Sequence, residues 1–347
     1  MRIRRIVLYA VSSLLLINCN SEDTAYTGMP DTSIEKVDFE IIDNAFQFAR
    51  PSELLICGDT LVVCDNELDK LIHLFNKESG KHIGSFINKG RGPGEATFFN
   101  SIFCDNNQLY GIDPNQKKLI VLDLRDNKIT EYTTVGIAGW PTRILPYKDG
   151  KILLYSSSET YRFAIYDLQS TKIISSYNIY PLIDENEQTV RSIFNYAGQY
   201  AMTPYRDKIV IATYVGSILE TLDINDDIIT SSHCNYYFEP KYDYQKGTVP
   251  PMVKPIDKTI IGFEDIFVSN EHIYGLVWNR SYKDIKSEKF KSRIIVFDMS
   301  GQPEWGIENN NGKIKSFIID ENPQMIYAII RLDGESKLAR YAIGQCS

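Results

Sequence analysis

The chain has 347 residues, 43% hydrophobic, 24% charged and 12% aromatic, with a formal net charge of −8. These values fit an ordinary globular protein and exclude a disordered or low-complexity chain. The acidic balance repels phosphate backbones, so nucleic acid is not an expected partner. Tyr (22) and Phe (16) are abundant, which favours strands. No Pro/Gly/Ser-rich linker divides the chain, so one large all-β domain is expected.

Arg2, Arg4 and Arg5 form a basic start, followed by an apolar run from Ile6 to Ile17. That run is too short to span a bilayer and has the layout of an export signal over residues 1–18. It ends at Leu16-Ile17-Asn18-Cys19, which resembles the lipobox of bacterial lipoproteins, although Asn18 replaces their usual small residue. The resemblance implies that Cys19 is lipidated and becomes the mature N-terminus, a stable membrane anchor. Losing three arginines would then bring the net charge from −8 to −11. Glu22 and Asp23 look like the surface-export signal of Bacteroidota lipoproteins, which implies an outer-membrane address. Residues 19–35 have no apolar period and read as a flexible tether.

From residue 36 to 347 one pattern returns six times: strand, tight turn, strand, polar gap, strand, turn, strand. The copies run Glu53 to Phe86, Asn100 to Thr133, Trp140 to the KIISSYNI strand, Tyr200 to Tyr237, Gly262 to Glu308, and Lys313 to Ile343. Such repeats bury no core alone and must stack around an axis. The expected fold is all-β: a six-bladed β-propeller of four-stranded antiparallel sheets. Val37 to Ile42 alternates polar and apolar, so this N-terminal strand should close the sixth blade and hide its edge. Two β-sandwiches would fit the same strand spacing.

Gly90-Arg91-Gly92-Pro93-Gly94-Glu95, followed by Phe98 and Phe99, resembles the head of an NHL-type repeat. With the lipobox, it resembles the TolB-like six-bladed propeller lipoproteins of Bacteroidota across residues 37 to 345. The resemblance implies fold and address, and no activity. The loop lacks a following Lys-Ser/Thr and a helix, so it is not a phosphate-binding fingerprint. A crossover pinned by polar contacts of Arg91 and Glu95 is the simpler reading.

Ligands of a propeller usually meet one mouth of the channel. Arg50, Asn100, Trp140, Arg143, Trp278, Asn279, Arg280 and Arg331 should reach it, a Trp and Arg funnel suited to a glycan, peptide or partner protein. Residues 238–258 form a long insertion between blades four and five, a candidate flap. The four histidines share no motif, no G-x-S-x-G occurs, and no Cys/His spacing suits zinc. No catalytic residue, cofactor, structural metal or dependable disulfide is therefore expected. An alternative is a calcium-assisted hydrolase or lyase, with Asn100, Glu264 and Asp265 as contributors. A further one is a scaffold subunit of an envelope complex.

Overall fold

A computed structural model describes residues 26–43, 45–134, 141–148, 150–156, 161–180, 197–245, 252–285 and 291–344. Asn106 and Asn107 both adopt left-handed backbone (φ 49° and 60°), as do Asp226 and Asp227 (49° and 63°). Such residue pairs make the tight reversal whose twist suits antiparallel strands, and Asn and Asp tolerate it well. Reversals of this kind fold the chain into consecutive meanders.

Two short strands come first, β1 (Ser33–Val37) and β2 (Glu40–Asp43). Blade 1 contains β3 to β6: Pro51–Cys57, Thr60–Asp65, Lys70–Asn76 and His82–Asn88. Blade 2 contains β7 to β10: Ser101–Asp105, Gln108–Asp113, Lys118–Asp123 and Ile129–Thr133. Blade 3 contains β11 to β14: Pro141–Pro146, Lys151–Ser156, Phe163–Asp167 and Lys172–Tyr177. Blade 4 contains β15 to β18: Gly198–Met202, Lys208–Thr213, Ile218–Asn225 and Ile228–Tyr236. The insertion that follows carries a hairpin, β19 (Tyr242–Gln245) with β20 (Met252–Pro255). Blade 5 contains β21 to β24: Ile260–Val268, His272–Ser281, Arg293–Asp298 and Pro303–Asn309, with a short helix α1 at Tyr282–Ile285. Blade 6 contains β25 to β27: Lys313–Glu321, Gln324–Leu332 and Glu335–Ala342.

The apolar core lies between blades. Val62 and Leu74 of blade 1 pack with Ile102 and Leu109 of blade 2. The same happens at each junction, through Leu119 with Leu154, Leu153 with Ile209, Leu219 with Phe297, and Leu276 with Phe317. Leu61 and Phe75 of blade 1 complete the circuit against Tyr327 and Leu338 of blade 6. A pair of sandwiches would not join its first and last sheets, so the ring of six blades is closed.

The closing device differs from the single strand expected over Val37 to Ile42. Strand β1 adds to blade 5, parallel to β24, and only β2 completes blade 6, antiparallel to β27. Between them, buried Phe39 packs beside Tyr341 and its backbone is held by Asn309 and Asn311. Part of the segment expected as a flexible tether is ordered. The N–H groups of Thr27 and Gly28 donate to the carbonyls of Tyr236 and Tyr237 at 3.1 and 2.8 Å, and Ile34 packs at the blade 4–5 junction. An outermost strand needs few apolar side chains, which is why composition alone suggested disorder.

A second correction concerns the cysteines. Cys57 and Cys104 form a disulfide between the inner strands of blades 1 and 2, with their Cα atoms 5.7 Å apart. Both sit in apolar inner strands, near equivalent ends of neighbouring blades. Cys64 and Cys234 are free thiols.

Candidate binding site in the axial channel

All six inner strands begin at one face of the ring, termed the upper face. Each carries a polar residue directly before an apolar one at the same repeat position: Ser52-Glu53-Leu54, Asn100-Ser101-Ile102, Thr142-Arg143-Ile144, Gly198-Gln199-Tyr200, Glu264-Asp265-Ile266 and Lys315-Ser316-Phe317. In four blades the pairing register breaks at this point, beside Ser52, Thr142, Glu264 and Lys315. Bulges add twist and re-aim side chains. The result is a tier of six polar residues around the channel: Glu53, Ser101, Arg143, Gln199, Asp265 and Ser316.

Three of these residues clasp the next blade. Glu53 accepts the Ile102 N–H at 2.8 Å, Ser101 that of Ile144 at 3.3 Å, and Asp265 that of Phe317 at 3.2 Å. The N–H groups are on inner-strand edges, where no fifth strand can pair them. Across the channel, Arg143 reaches Glu53 at 2.5 Å and also donates to Gln199. Asp265 accepts the Ser316 hydroxyl at 2.7 Å. Burial pushes the Glu53 carboxyl upward, opposed by Arg143 and the Ile102 N–H. Asp265 is likewise raised by burial, with Ser316, Arg143 and the Phe317 N–H acting the other way.

The next channel tier is wholly apolar: Leu55, Phe103, Leu145, Ala201, Phe267 and Ile318. Leu55, Ala201, Phe267 and Ile318 stay partly exposed, so they wall the cavity rather than fill it. The cavity holds about 520 Å³ and runs from the polar tier to the lower face, beside exposed Glu321 and Asn322. A polar tier joined to an apolar wall is the general anatomy of a ligand pocket.

At the upper rim Lys313 lies over the Trp278 ring at 3.6 Å. Burial, with Lys315 and Arg331 nearby, brings its amine down to about 8 against the pull of Glu264. Glu264 is itself raised by burial, opposed by Lys315 and Lys313. A second cavity of about 700 Å³ opens beside blade 5. It is lined by Met29 to Thr32, Trp278 to Arg280, Asp284, the Arg293–Glu308 ion pair (2.9 Å) and Lys36.

The single Trp and Arg funnel expected from sequence is therefore divided. Arg143 belongs to the channel floor, while Trp278, Asn279 and Arg280 line the blade 5 cavity. Asn279 is held by Ser217 and Met29. Asn100 serves a structural link, donating to the Thr142 carbonyl at 2.8 Å. Arg50 and Arg331 have exposed side chains, and the Arg50 N–H donates to Asp65. Trp140 lies outside the described residues. Among those residues, no group of three or more His, Cys, Asp or Glu could hold a metal ion.

In the glycine loop, Glu95 folds back and accepts the Gly92 N–H at 2.8 Å. A Cβ at Gly90 would strike that carboxylate. Gly94 N–H donates to Glu131, and Lys118 binds the Gly92 carbonyl at 3.0 Å. Glu95 thus closes onto the loop's own backbone. Arg91 is exposed and, among the described residues, makes no side-chain hydrogen bond.

The sequence fits the family model described as TolB-like 6-blade propeller-like over residues 31–322. The chain belongs to the TolB-like propeller family. No curated protein matches its sequence. Among solved structures, this TolB-like chain is similar to a Bacteroides fragilis protein described as exported, with TM-score 0.61 and 14% identity over 91% of this chain and 98% of the other. A DUF4221 member from Bacteroides vulgatus gives TM-score 0.53 and 12% identity over 90% and 98%. Kuenenia stuttgartiensis hydrazine synthase gives 0.50 and 10% over 83% and 76%. Identities this low establish the shared fold alone, and a fold carries many activities.

Proposed function

We propose that this TolB-like protein is a lipid-anchored envelope protein that captures a peptide segment of a partner in its axial channel. The observation that carries the reading is the two-tier channel, a polar floor beneath an apolar wall, assembled by all six blades. The apolar wall favours peptide side chains over a hydroxyl-rich glycan. Capture rather than turnover fits a floor whose groups already bind one another: Arg143 with Glu53 and Gln199, Asp265 with Ser316. The envelope address is supported by the lipobox-like Cys19, by the exported Bacteroides fragilis relative and by a disulfide, a bond that persists in oxidising compartments.

Metabolic labelling with a fatty acid tests the anchor, because Cys19→Ala should abolish the label. A photo-crosslinker placed at Ile318 in intact cells tests the channel. A discrete peptide or protein adduct is the expected product. Adducts from Arg280 with none from Ile318 would transfer the site to the blade 5 cavity.

A further inference from the structure

The channel's charges are not balanced. Its floor carries two carboxyl groups, Glu53 and Asp265, and one cation, Arg143, which is already committed to Glu53 and Gln199. Asp265 has hydrogen bonds from Ser316, Phe317 and the Ile266 N–H and feels Arg143 at a distance, but it makes no ion pair among the described residues. At the open end Asp320 is neutralised by Lys77 at 2.6 Å, and Asp105 by Arg206 at 2.5 Å. Glu321 is exposed at the rim without such a partner among the described residues. A ligand thus passes one uncompensated carboxylate at the mouth, crosses an apolar wall, and meets a second carboxylate at the floor.

We infer that the channel takes a primary ammonium group on an aliphatic stem, as a lysine side chain presents. The stem would lie along Leu55, Phe267 and Ile318, and the ammonium would meet Asp265. Four methylenes are the kind of apolar body that a charged amine can bury along such a wall. A carboxylate ligand would face Asp265 and Glu53 with like charge, and a neutral alcohol would gain only the wall. Burial holds both floor carboxyls above their ordinary range, so an incoming cation would favour their ionised forms. The inference rests on the channel being the binding site, and it adds the class of group bound there.

The test uses the full chain in nanodiscs, with n-pentylamine, 1-pentanol and pentanoate titrated calorimetrically against empty-nanodisc blanks. N-acetyl-lysine methylamide and a lysine-containing peptide then separate a free amine from a peptide-borne one. Pentylamine should bind about ten- to hundredfold more tightly than pentanol, the worth of one charged hydrogen bond, and pentanoate should not bind. Asp265→Asn should remove that advantage while leaving pentanol binding in place. Ala201→Phe, which fills the wall tier, should abolish binding of all probes and guards against a poorly folded Asp265 variant. Equal binding of the three probes, or amine binding indifferent to Asp265→Asn, overturns the ammonium inference and leaves the channel as an apolar site. Amine binding that survives Ala201→Phe, or no binding by any probe, overturns the channel reading as well.

Discussion

Arg162 of blade 3 and Glu220 of blade 4 meet with no solvent exposure on either side chain, through hydrogen bonds of 3.1 and 2.6 Å. The guanidinium also lies 4.8 Å from the Tyr180 ring centroid and donates to the Ile179 carbonyl at 3.3 Å. Burial pushes the Glu220 carboxyl upward, and Arg162 opposes it. Removing one member strands a buried charge, so Arg162→Met or Glu220→Leu should each cost about 3–5 kcal/mol. The double variant should recover much of that loss, because a well-packed apolar pair avoids desolvating two ions. Urea unfolding of all four proteins measures the cycle. Strictly additive losses would show that the pair does not act as a unit.

His73 makes stability depend on pH. It is 2% exposed, its Nδ1 lies 2.8 Å from Ser85 Oγ, and its ring centroid is 4.7 Å from that of Phe46. Burial brings its imidazole down to about 4, against the pull of Asp65. The unfolded chain takes up this proton near 6.5, so its contribution is complete above 6.5 and is lost as pH falls towards 4. The change amounts to about 3 kcal/mol. Urea midpoints taken from pH 7 to 4.5 should fall less steeply in His73→Phe than in the parent. Parallel profiles would remove His73 as the titrating group.

The blades were legible because each repeat states its own turns and apolar strands, and Leu61-Val62-Val63 or Ile209-Val210-Ile211 leaves little alternative to a buried strand. Arg143 and Asp265 were singled out on chemistry, whereas Glu53, Gln199 and Ser316 were not. A lone polar residue near the start of a strand looks like an ordinary solvated end. The missed signal was positional: aligning the six inner strands places these residues at one repeat position. The Cys57–Cys104 bond depends on how neighbouring inner strands stack, and the crossing at Phe39 on where the chain's start meets its last blades. Local pattern carries no such information.

The glycine loop should respond to substitution as a structural crossover. Glu95→Ala deprives the Gly92 N–H of its acceptor, a loss of about 1–2 kcal/mol. Gly90→Ala displaces the same carboxylate and should cost about 1 kcal/mol, while Arg91→Ala should stay within about 0.5 kcal/mol. Thermal unfolding ranks the three. An Arg91 variant as damaging as the Glu95 variant would assign the arginine a contact that the geometry does not show.

Ring closure at the N-terminal segment sets the last expectation. Phe39 is 2% exposed where the chain crosses from blade 5 to blade 6, and Glu40 pairs with Arg340 at 2.8 Å just beyond it. Phe39→Ala should cost about 3–5 kcal/mol, as for other buried aromatics. Deleting residues 1–38 removes β1 and uncovers the edge of β24, yet leaves β2 to complete blade 6. Deleting residues 1–43 removes β2 as well, opening the ring between its first and last blades. The first deletion should lower the urea midpoint and favour edge-to-edge association, read by light scattering. The second should lose cooperative unfolding altogether. Equal stability of the two would mean that β2 does not hold the circle shut.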